Sequence, residues 1–261
     1  MRLDLYLFKN GMSESRQKAK GLIDDELVSV NGRTVTKSSF EVSESDVVEL
    51  LGKGLAYVGR GGLKLEGALK VFQIDPDHMT AIDIGASTGG FTDCLLQNGA
   101  KRVYAVDSGS NQLHPKLRGD KRVVCIENFN AKNLNHEIIP EHIDLAVMDL
   151  SFISQICIYP SLISVLSEGS SVITLIKPQF EAGKTAIGKN GIVKDKKIHE
   201  KVIENIICEA KKYNLYCEKI AVSPITGGDG NVEYLALFSY FVEKKLPDKI
   251  EIHNIVFGEN K

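Results

Sequence analysis

The first fifty residues show a hydrophobic pattern that predicts two short helices. Apolar side chains recur at helical spacing between Leu3 and Leu7, and Gly11 ends this first helix. Ser13 is the expected N-cap of a second helix, because apolar side chains again follow at helical spacing as far as Ile23.

A small sheet is expected after these helices. The segment VSVNGRTV places Asn31-Gly32 between two β-branched runs, which is a strong local signal for a two-residue hairpin turn. The segment Val47–Leu50 predicts one further short strand. Residues 1–50 are therefore predicted to form a compact α+β unit.

The rest of the chain alternates apolar strand-like runs with amphipathic helical segments, as a doubly wound sheet does. Five strands that alternate with helices, followed by two closing strands, predict an α/β, Rossmann-like seven-stranded sheet of the kind found in methyltransferases. The predicted helices are GLKLEGALKVF, Phe91–Gln97, Ile156–Leu166 and Asp195–Tyr213. The predicted strands are Ala81–Ile84, Val103–Val106, Val123–Ile126, Leu145–Met148, Val172–Ile176, Leu215–Val222 and Tyr234–Tyr240.

The segment AIDIGASTGGF, residues 81–91, is the main candidate for a cofactor loop. A strand ends at Ile84, a glycine-containing loop turns, and a helix opens near Gly90. Open α/β sheets bind ligands at such strand ends, beside helix N-termini. The spacing G-x-x-x-G-G differs from the dinucleotide fingerprint G-x-G-x-x-G, and alone it is also compatible with an ordinary tight strand–helix turn.

Asp107 supports the cofactor interpretation, because it ends the next predicted strand, where a carboxylate can hold ribose hydroxyls. Asp83 can accept a hydrogen bond from an amino group, and Asn128 follows the third strand as a candidate adenine contact. The predicted cofactor-binding residues are Asp83, Gly85, Ala86, Ser87, Gly89, Gly90, Phe91, Asp107 and Asn128.

Four charged residues are candidates for the reaction chemistry: Lys64, Asp149, Lys177 and Glu233. Lys64 lies in the helix before the cofactor strand. Asp149 and Lys177 each end an apolar strand at the predicted ligand-binding edge, and Glu233 opens the last strand. Each of them alone is compatible with a surface charge or an ion pair. The four together with the cofactor loop indicate an active site.

Composition limits the remaining classes of protein. The chain has 261 residues, of which 43% are hydrophobic and 25% are charged, as in ordinary globular proteins. The five cysteines are scattered, which argues against a zinc site or a disulfide framework and fits a reducing cytosol. The longest uncharged run, Leu150 to Ser167, contains Pro160 and several serines, and a membrane span needs about 20 mainly apolar residues.

Charge alone does not predict nucleic-acid binding, because the net charge of the chain is −2. Residues 1–40 carry seven Lys/Arg and five Asp/Glu, so a basic surface there requires segregation of charge onto one face. Glycines concentrate at residues 52–61 between the two patterned regions. The predicted organisation is a small α+β domain over 1–52, a linker over 53–61, a larger α/β domain over 62–242 and a C-terminal tail over 243–261.

The N-terminal segment RLDLYLFKNGMSESRQKAKGLIDDELVSVNGRTVTKSS resembles the RNA-binding domain named after ribosomal small-subunit protein four. In that family, basic residues of the second helix and the hairpin contact RNA phosphates, which fix position without reading sequence. A solvated helix face with ordinary lysines is the alternative that charge alone favours. The resemblance implies RNA contacts at Arg2, Arg16, Lys18, Lys20, Arg33 and Lys37.

Lys64, Asp149, Lys177 and Glu233 resemble the Lys-Asp-Lys-Glu tetrad of the FtsJ/RrmJ-type ribose 2′-O-methyltransferases. With both domains considered, the chain is similar to the TlyA family, historically called hemolysin A, from Arg2 to about Phe238. It departs from some members at residues 55–58, where those carry an Arg and a Trp, and at Ser110-Asn111, where Tyr-Gly is common.

The resemblance implies S-adenosylmethionine as the cofactor and ribose 2′-hydroxyls of ribosomal RNA, with cytidine as the expected nucleotide, as the methyl acceptor. The implied partners are ribosomal RNA or ribosomal subunits, in the cytoplasm, without stable membrane association and without a metal. Two alternatives remain: a hemolysin-like membrane-active protein, and an RNA-binding protein whose methyltransferase fold is catalytically silent. Pseudouridine synthases use the same type of RNA-binding module, but their catalytic domain lacks the DIGASTGG loop.

The expected mechanism starts from the ribose hydroxyl, which must lose its proton as the methyl group transfers. Lys177 can accept this proton only as a neutral amine, which burial and the nearby cation Lys64 favour and Asp149 opposes. Holding the hydroxyl in line with the methyl–sulfur axis is expected to contribute more than basicity, since orientation can remove about 7–11 kcal/mol of a barrier.

Overall fold

The structure is a computed structural model of the whole chain. It describes residues 1–13, 15–24, 27–43, 45–50, 56–183, 186–188, 191–227, 230–243 and 245–259, with the side chains of Asp24 and Arg33 left aside. The chain divides into two compact units, Met1–Arg60 and Gly61–Lys261.

The first unit contains two helices and a three-stranded antiparallel sheet in the order β2-β1-β3. Its elements are α1 (Leu3–Lys9), α2 (Arg16–Asp24), β1 (Val28–Val30), β2 (Arg33–Thr34) and β3 (Val48–Leu50). The helices pack one apolar face each against the sheet, because a sheet this small cannot bury its own hydrophobic side chains. The buried core is formed by Leu3, Leu7, Ala19, Ile23, Val28, Val30, Val35 and Val42.

The predicted hairpin is confirmed, and one predicted cap is wrong. Asn31 and Gly32 both adopt positive φ, 52° and 74°, as the turn of a two-residue hairpin requires. The second helix begins at Arg16, and the hydroxyl of Ser15 accepts a hydrogen bond from the backbone N–H of Lys18. Ser13 instead donates its hydroxyl to the carbonyl of Ser15, so the cap lies two residues later than the sequence indicated.

The second unit is a seven-stranded sheet in the order β6-β5-β4-β7-β8-β10-β9, in which β10 runs antiparallel to both of its neighbours. Its strands are β4 (Thr80–Ile84), β5 (Arg102–Val106), β6 (Val123–Ile126), β7 (Ile143–Met148), β8 (Leu166–Ile176), β9 (Leu215–Val222) and β10 (Tyr234–Tyr240). Its α-helices are α3 (Gly61–Phe72), α4 (Gly90–Gln97), α5 (Pro115–Arg118), α6 (Tyr159–Leu162), α7 (Pro178–Glu181), α8 (Lys196–Lys211) and α9 (Lys249–Phe257).

All seven predicted strands are confirmed, whereas the predicted helix Ile156–Leu166 is wrong. The chain forms a 3₁₀ turn at Gln155–Ile158 and then only the four residues of α6 before β8 begins at Leu166. Pro160 lacks a backbone N–H, and the hydroxyls of Ser161 and Ser164 compete with the helix for backbone carbonyls.

The predicted C-terminal tail, residues 243–261, contains a helix. Asp248 caps α9 by accepting a hydrogen bond from the backbone N–H of Glu251, and Gly258 ends the helix with a positive φ. Ile252 and Val256 are buried in the core of the sheet unit. The segment therefore contributes to the hydrophobic core, because its apolar face packs against the sheet unit.

The parallel strands bring the candidate site together. Because β4, β5, β7 and β8 run parallel, their carboxyl ends meet at one edge of the sheet. The segments that follow these ends begin at Gly85, Asp107, Asp149 and Lys177.

Candidate active site

The loop after β4 is shaped by glycines that no other residue could replace without strain. Gly85 has a φ of +86°, and a Cβ there would lie 2.8 Å from the backbone oxygen of Asp149. Gly89 has a φ of +96°, and a Cβ there would lie 2.3 Å from the Cδ1 of Leu117. These positions allow the loop to turn tightly and to open α4 beside the sheet edge.

Asp83 is a buried carboxyl group with one unsatisfied oxygen. It is 1% exposed, and its Oδ2 accepts hydrogen bonds from the backbone N–H and the hydroxyl of Thr92, at 2.9 and 2.7 Å. No partner for Oδ1 exists among the described residues. Burial, together with the charges of Asp149 and Asp107, raises the pKa of Asp83 to about 7. A buried acceptor of this kind is suited to a ligand cation.

Asp107 joins the loops that follow β4 and β5. Its Oδ2 accepts the backbone N–H of Ser87 at 2.8 Å, and its Oδ1 accepts the backbone N–H of Gly109 at 2.7 Å. Each carboxylate oxygen can accept more than one hydrogen bond, so Asp107 can still receive ribose hydroxyls.

A cavity of about 530 Å³, within the usual range for small-molecule sites, opens at this sheet edge. It includes Gly85, Ser87 and Asp107 among the predicted cofactor residues. The sequence missed most of the lining, because the contributing loops lie far apart along the chain. The lining residues are Ile84, Gly85, Ser87, Val106, Asp107, Ser108, Phe129, Asn130, Ala131, Asp149, Leu150, Ser151, Phe152, Ile153 and Ile158.

The other predicted cofactor residues lie outside this lining. Asp83, Ala86, Gly89, Gly90 and Phe91 are buried, in β4, the glycine loop and the start of α4. 

Asn128 is exposed, with a φ of +54°, and the cavity is instead lined by the next two residues, Phe129 and Asn130. The predicted residue therefore lies in a loop that lines the cavity, but Asn128 itself is not part of the lining.

The four reactive candidates form one chain of alternating charges. Lys177 Nζ lies 2.5 Å from Asp149 Oδ1, and Lys64 Nζ lies 3.9 Å from Asp149 Oδ2. Lys64 Nζ also donates to Glu233 Oε2 at 2.6 Å. Lys64, Lys177 and Glu233 are only 5%, 8% and 2% exposed. Two cations and two carboxylates cancel, which reduces the cost of burying charge.

This tetrad is surrounded by further residues that the sequence did not identify. Lys177 Nζ donates to the hydroxyl of Ser151 at 3.1 Å. Gln179 Nε2 donates at 3.3 Å to Glu233 Oε1, whereas Lys64 contacts the other oxygen of this carboxylate, Oε2. Gly227 leaves room for this carboxylate, because a Cβ at that position would lie 2.7 Å from Glu233 Oε1.

Phe152 is an aromatic residue in an unusual position beside the tetrad. It is 91% exposed and has a φ of +65°, which a side chain of this size rarely adopts. Its ring centroid lies 5.0 Å from that of Phe180. An exposed large hydrophobic side chain held in a strained backbone conformation at the rim of a site is a candidate contact for a substrate.

The first unit places two of the predicted RNA-binding arginines on one buried carboxylate. Asp4 accepts Arg2 Nε at 3.0 Å and an Arg16 guanidinium nitrogen at 2.7 Å. These guanidinium groups lower the pKa of Asp4 to about 2. Lys18, Lys20 and Lys37 are exposed on the same unit, and the side chain of Arg33 lies outside what the structure describes.

Strand order, the glycine-shaped loop with its cavity and the buried Lys-Asp-Lys-Glu chain define an S-adenosylmethionine-dependent methyltransferase. The comparisons with known proteins agree. The profile of the FtsJ-like methyltransferase family matches residues 57–240, and the profile of the S4 domain matches residues 1–48. The chain belongs to the TlyA, or hemolysin A-like, family of FtsJ-like methyltransferases that carry an S4 domain.

Two relatives cover most of the chain. Hemolysin A of Brachyspira hyodysenteriae is 46% identical over 91% of this chain and 99% of its own length. The 16S/23S rRNA (cytidine-2′-O)-methyltransferase TlyA of Mycobacterium tuberculosis strain H37Rv is 38% identical over 89% of this chain and 87% of its own length.

Solved structures show the same fold. A candidate hemolysin from Streptococcus thermophilus has a TM-score of 0.79 and 42% identity, with 99% of this chain and 94% of that chain covered. An S-adenosylmethionine-dependent methyltransferase from Listeria monocytogenes, at 15% identity, shares the fold with a TM-score of 0.52 over 69% of this chain and 98% of that chain. Within the described part of the present chain, no helix is both long and apolar enough to cross a membrane.

Proposed function

We propose that this protein transfers a methyl group from S-adenosylmethionine to the ribose 2′-hydroxyl of a cytidine in ribosomal RNA. The observation that carries the proposal is the buried chain Lys177–Asp149–Lys64–Glu233, whose member Asp149 also lines the cofactor cavity. This arrangement places proton-accepting chemistry next to the proposed methyl donor.

The residues at the sheet edge fit the cofactor. The unsatisfied Oδ1 of Asp83 suits the ammonium group of the methionine moiety, directly or through water, and Asp107 suits the ribose hydroxyls. The absence of a Cβ at Gly85 lets the backbone of Asp149 pack closely against this loop, which brings the loops after β4 and β7 together at the cavity. When bound, S-adenosylmethionine supplies an electrophilic methyl group on a sulfonium.

Lys177 is proposed as the group that accepts the hydroxyl proton. A neutral amine has two N–H groups and one lone pair. Asp149 and Ser151 lie where they can receive the two N–H groups, which leaves the lone pair for the ribose hydroxyl. The same contacts fix the direction of the lone pair, and orientation of this kind contributes strongly to rate.

Lys64 and Glu233 are proposed to tune this pair rather than to react. Lys64 shares Asp149 with Lys177, because Lys64 Nζ lies 3.9 Å from Oδ2 of the carboxylate whose Oδ1 contacts Lys177. Glu233 holds Lys64 in place at 2.6 Å. Without Glu233, the buried Lys64 charge would lack a compensating partner.

The RNA part of the proposal rests on the S4 domain, on the relatives named rRNA (cytidine-2′-O)-methyltransferases, and on the exposed Phe152 ring. Single-stranded or unstacked bases are commonly held by aromatic side chains, and such a contact suits a ring at the rim of a methyl-transfer site. Ribosomal RNA, free or within a ribosomal subunit, is the proposed substrate, and the cytoplasm is the proposed location.

Substitution of Lys177 tests the proposal. Lys177→Ala is expected to abolish methyl transfer to rRNA and to leave S-adenosylmethionine affinity nearly intact, because its proposed partner is the ribose hydroxyl. Lys177→Arg should also fail, since a guanidinium does not give up its proton near neutral pH. Single-turnover rates at saturating cofactor, with calorimetric binding as the control, measure both effects. A fast Lys177→Arg variant would show that Lys177 acts only through its charge.

Mapping of 2′-O-methyl groups on rRNA, with and without the gene, identifies the nucleotide. Cofactor binding without methyl transfer to any rRNA would favour an RNA-binding protein with a silent catalytic fold. A liposome-leakage assay on the same preparation tests the membrane activity that the name hemolysin suggests.

A further inference from the structure

The loop that begins at Asp149 is joined, away from the tetrad, to the helix that follows Lys177. This loop runs from Asp149 to the 3₁₀ turn that begins at Gln155, and the helix is α7, which ends at Glu181. The Glu181 carboxylate accepts the backbone N–H of Gln155 at 2.9 Å.

The same loop is also attached to β8 and α6. The side-chain carbonyl of Gln155 accepts the hydroxyl of Thr174 on β8 at 2.8 Å and the hydroxyl of Tyr159 at 3.2 Å. Gln155 is 2% exposed, so these bonds are shielded from water. The end of the Asp149 loop is thereby tied to β8 and α6, in addition to its bond with α7.

Glu181 is an unusual residue for this position. It is partly buried, and no lysine, arginine or histidine forms an ion pair with it among the residues that the structure describes. Burial raises the pKa of this carboxyl group, while the bonds from Ser154 and Gln155 oppose the rise. A carboxylate without a cation is costly to bury, so the hydrogen bonds to the Asp149 loop are its compensation.

We propose that Glu181 is a positioning residue for methyl transfer, which sets the separation of Asp149 and Lys177 by fixing the end of the Asp149 loop to α7. The ion pair of Lys177 with Asp149 Oδ1 and its hydrogen bond to Ser151 Oγ both come from this loop. A shift of the loop therefore moves these two oxygen groups, while Lys177 itself stays between β8 and α7. This inference rests on the proposed function.

The test compares three variants in the full-length protein. Glu181→Ala removes the acceptor and is expected to lower kcat, at saturating rRNA and cofactor, by about 10²-fold, as small displacements of reacting groups do. Glu181→Gln keeps a carbonyl oxygen that can accept from Gln155, so it should restore most of kcat.

Glu141→Ala is the matched control for loss of stability. Glu141 is a partly exposed carboxylate that accepts Arg102 at 2.6 Å and the Tyr104 hydroxyl at 2.8 Å, near the amino-terminal ends of β5 and β7. This variant also loses hydrogen bonds of the fold, but at the edge of the sheet opposite the tetrad. It should lower Tm and leave kcat close to the wild-type value.

A Glu181→Ala variant with wild-type kcat would overturn the positioning role. An equal loss of kcat in Glu141→Ala at a similar Tm, or a Glu181→Gln variant as slow as Glu181→Ala, would also overturn it. If the wild-type protein methylates no rRNA, the proposed function fails and the positioning role fails with it. An active wild-type protein together with an equally active Glu181→Ala variant would overturn the positioning role alone.

Discussion

Asp83 shows how a residue recognised by its position can have a property that the sequence does not reveal. Its place at the end of a strand followed by a glycine loop predicted a cofactor contact. Its pKa of about 7 and its unsatisfied Oδ1 depend on burial under α4 and on the charges of Asp149 and Asp107. These neighbours come from other strands, so no local pattern could have predicted them.

The raised pKa gives a prediction for cofactor binding. Near neutral pH, Asp83 is partly protonated before S-adenosylmethionine binds, and a cationic ammonium group nearby favours the carboxylate. Binding should therefore release a proton, and affinity should increase as pH rises through about 7. Calorimetry in two buffers of different ionisation enthalpy measures the released proton.

Asp83→Asn is the control, because it removes the titrating group and leaves the ionisation of the cofactor itself unchanged. The variant should lose the part of the pH dependence that comes from the protein. The same proton release in Asp83→Asn would show that another group titrates. The stability of the fold has the opposite pH dependence from the cofactor affinity. Because the pKa of Asp83 is raised in the folded protein, the free energy of unfolding falls as pH rises from about 4 to about 7.

At the scale of elements, the hydrophobic pattern predicted most of the fold because the parallel strands are buried on both faces. Such strands form continuous apolar runs with sharp ends, as Val103–Val106 and Leu145–Met148 do. The predicted helix Ile156–Leu166 failed because it was equally apolar, and periodicity alone does not separate a buried helix from a turn followed by a strand.

The site was predictable to the extent that its residues end strands. Asp149 and Lys177 were found in this way, since a charge at the end of an apolar run stands out. Gln179 and Glu181 were missed because their importance lies in contacts with Glu233 and Gln155, far away in the sequence. Phe152 was missed because exposure depends on the path of its loop.

Helix α2 gives a prediction about RNA binding at this scale. Neutralising Arg16, Lys18 and Lys20 together should weaken binding to rRNA and flatten its salt dependence. If all three contact phosphates, the slope of log affinity against log salt should fall by about 2 to 3 units. Filter binding or fluorescence anisotropy at several salt concentrations measures the slope.

The matched control neutralises Lys70, Lys101 and Lys121, which are exposed lysines of the second unit, two of them just before β5 and β6. It removes the same charge from another surface. If both triple variants change the slope equally, only net charge matters. If the α2 variant keeps the wild-type slope, another surface holds the RNA. The segment with Lys184, Lys189 and Lys194 is the next candidate, and of these three only Lys194 lies within the described residues.

For the whole molecule, the division into Met1–Arg60 and Gly61–Lys261 leads to a separation of tasks. The cavity and the tetrad lie entirely within the second unit. Removal of residues 1–50 should therefore leave a folded domain that binds S-adenosylmethionine with nearly unchanged affinity, while methylation of rRNA is lost. Calorimetry and a methyl-transfer assay on the truncated protein measure the two activities. Full rRNA methylation by the truncated protein would assign substrate recognition to the catalytic unit.

The position of β10 has a consequence for how the enzyme is made. This strand, residues 234–240, inserts between β8 and β9, so the sheet remains split until β10, which follows both of them along the chain, has been translated. Glu233 arrives with it, which means that Lys64 lacks its strongest partner in every shorter nascent chain. Long-range pairing of this kind is slow and leaves strand edges open during synthesis. The nascent protein is thus expected to remain inactive on the ribosome that produces it until β10 has been translated and has paired with both of its neighbours.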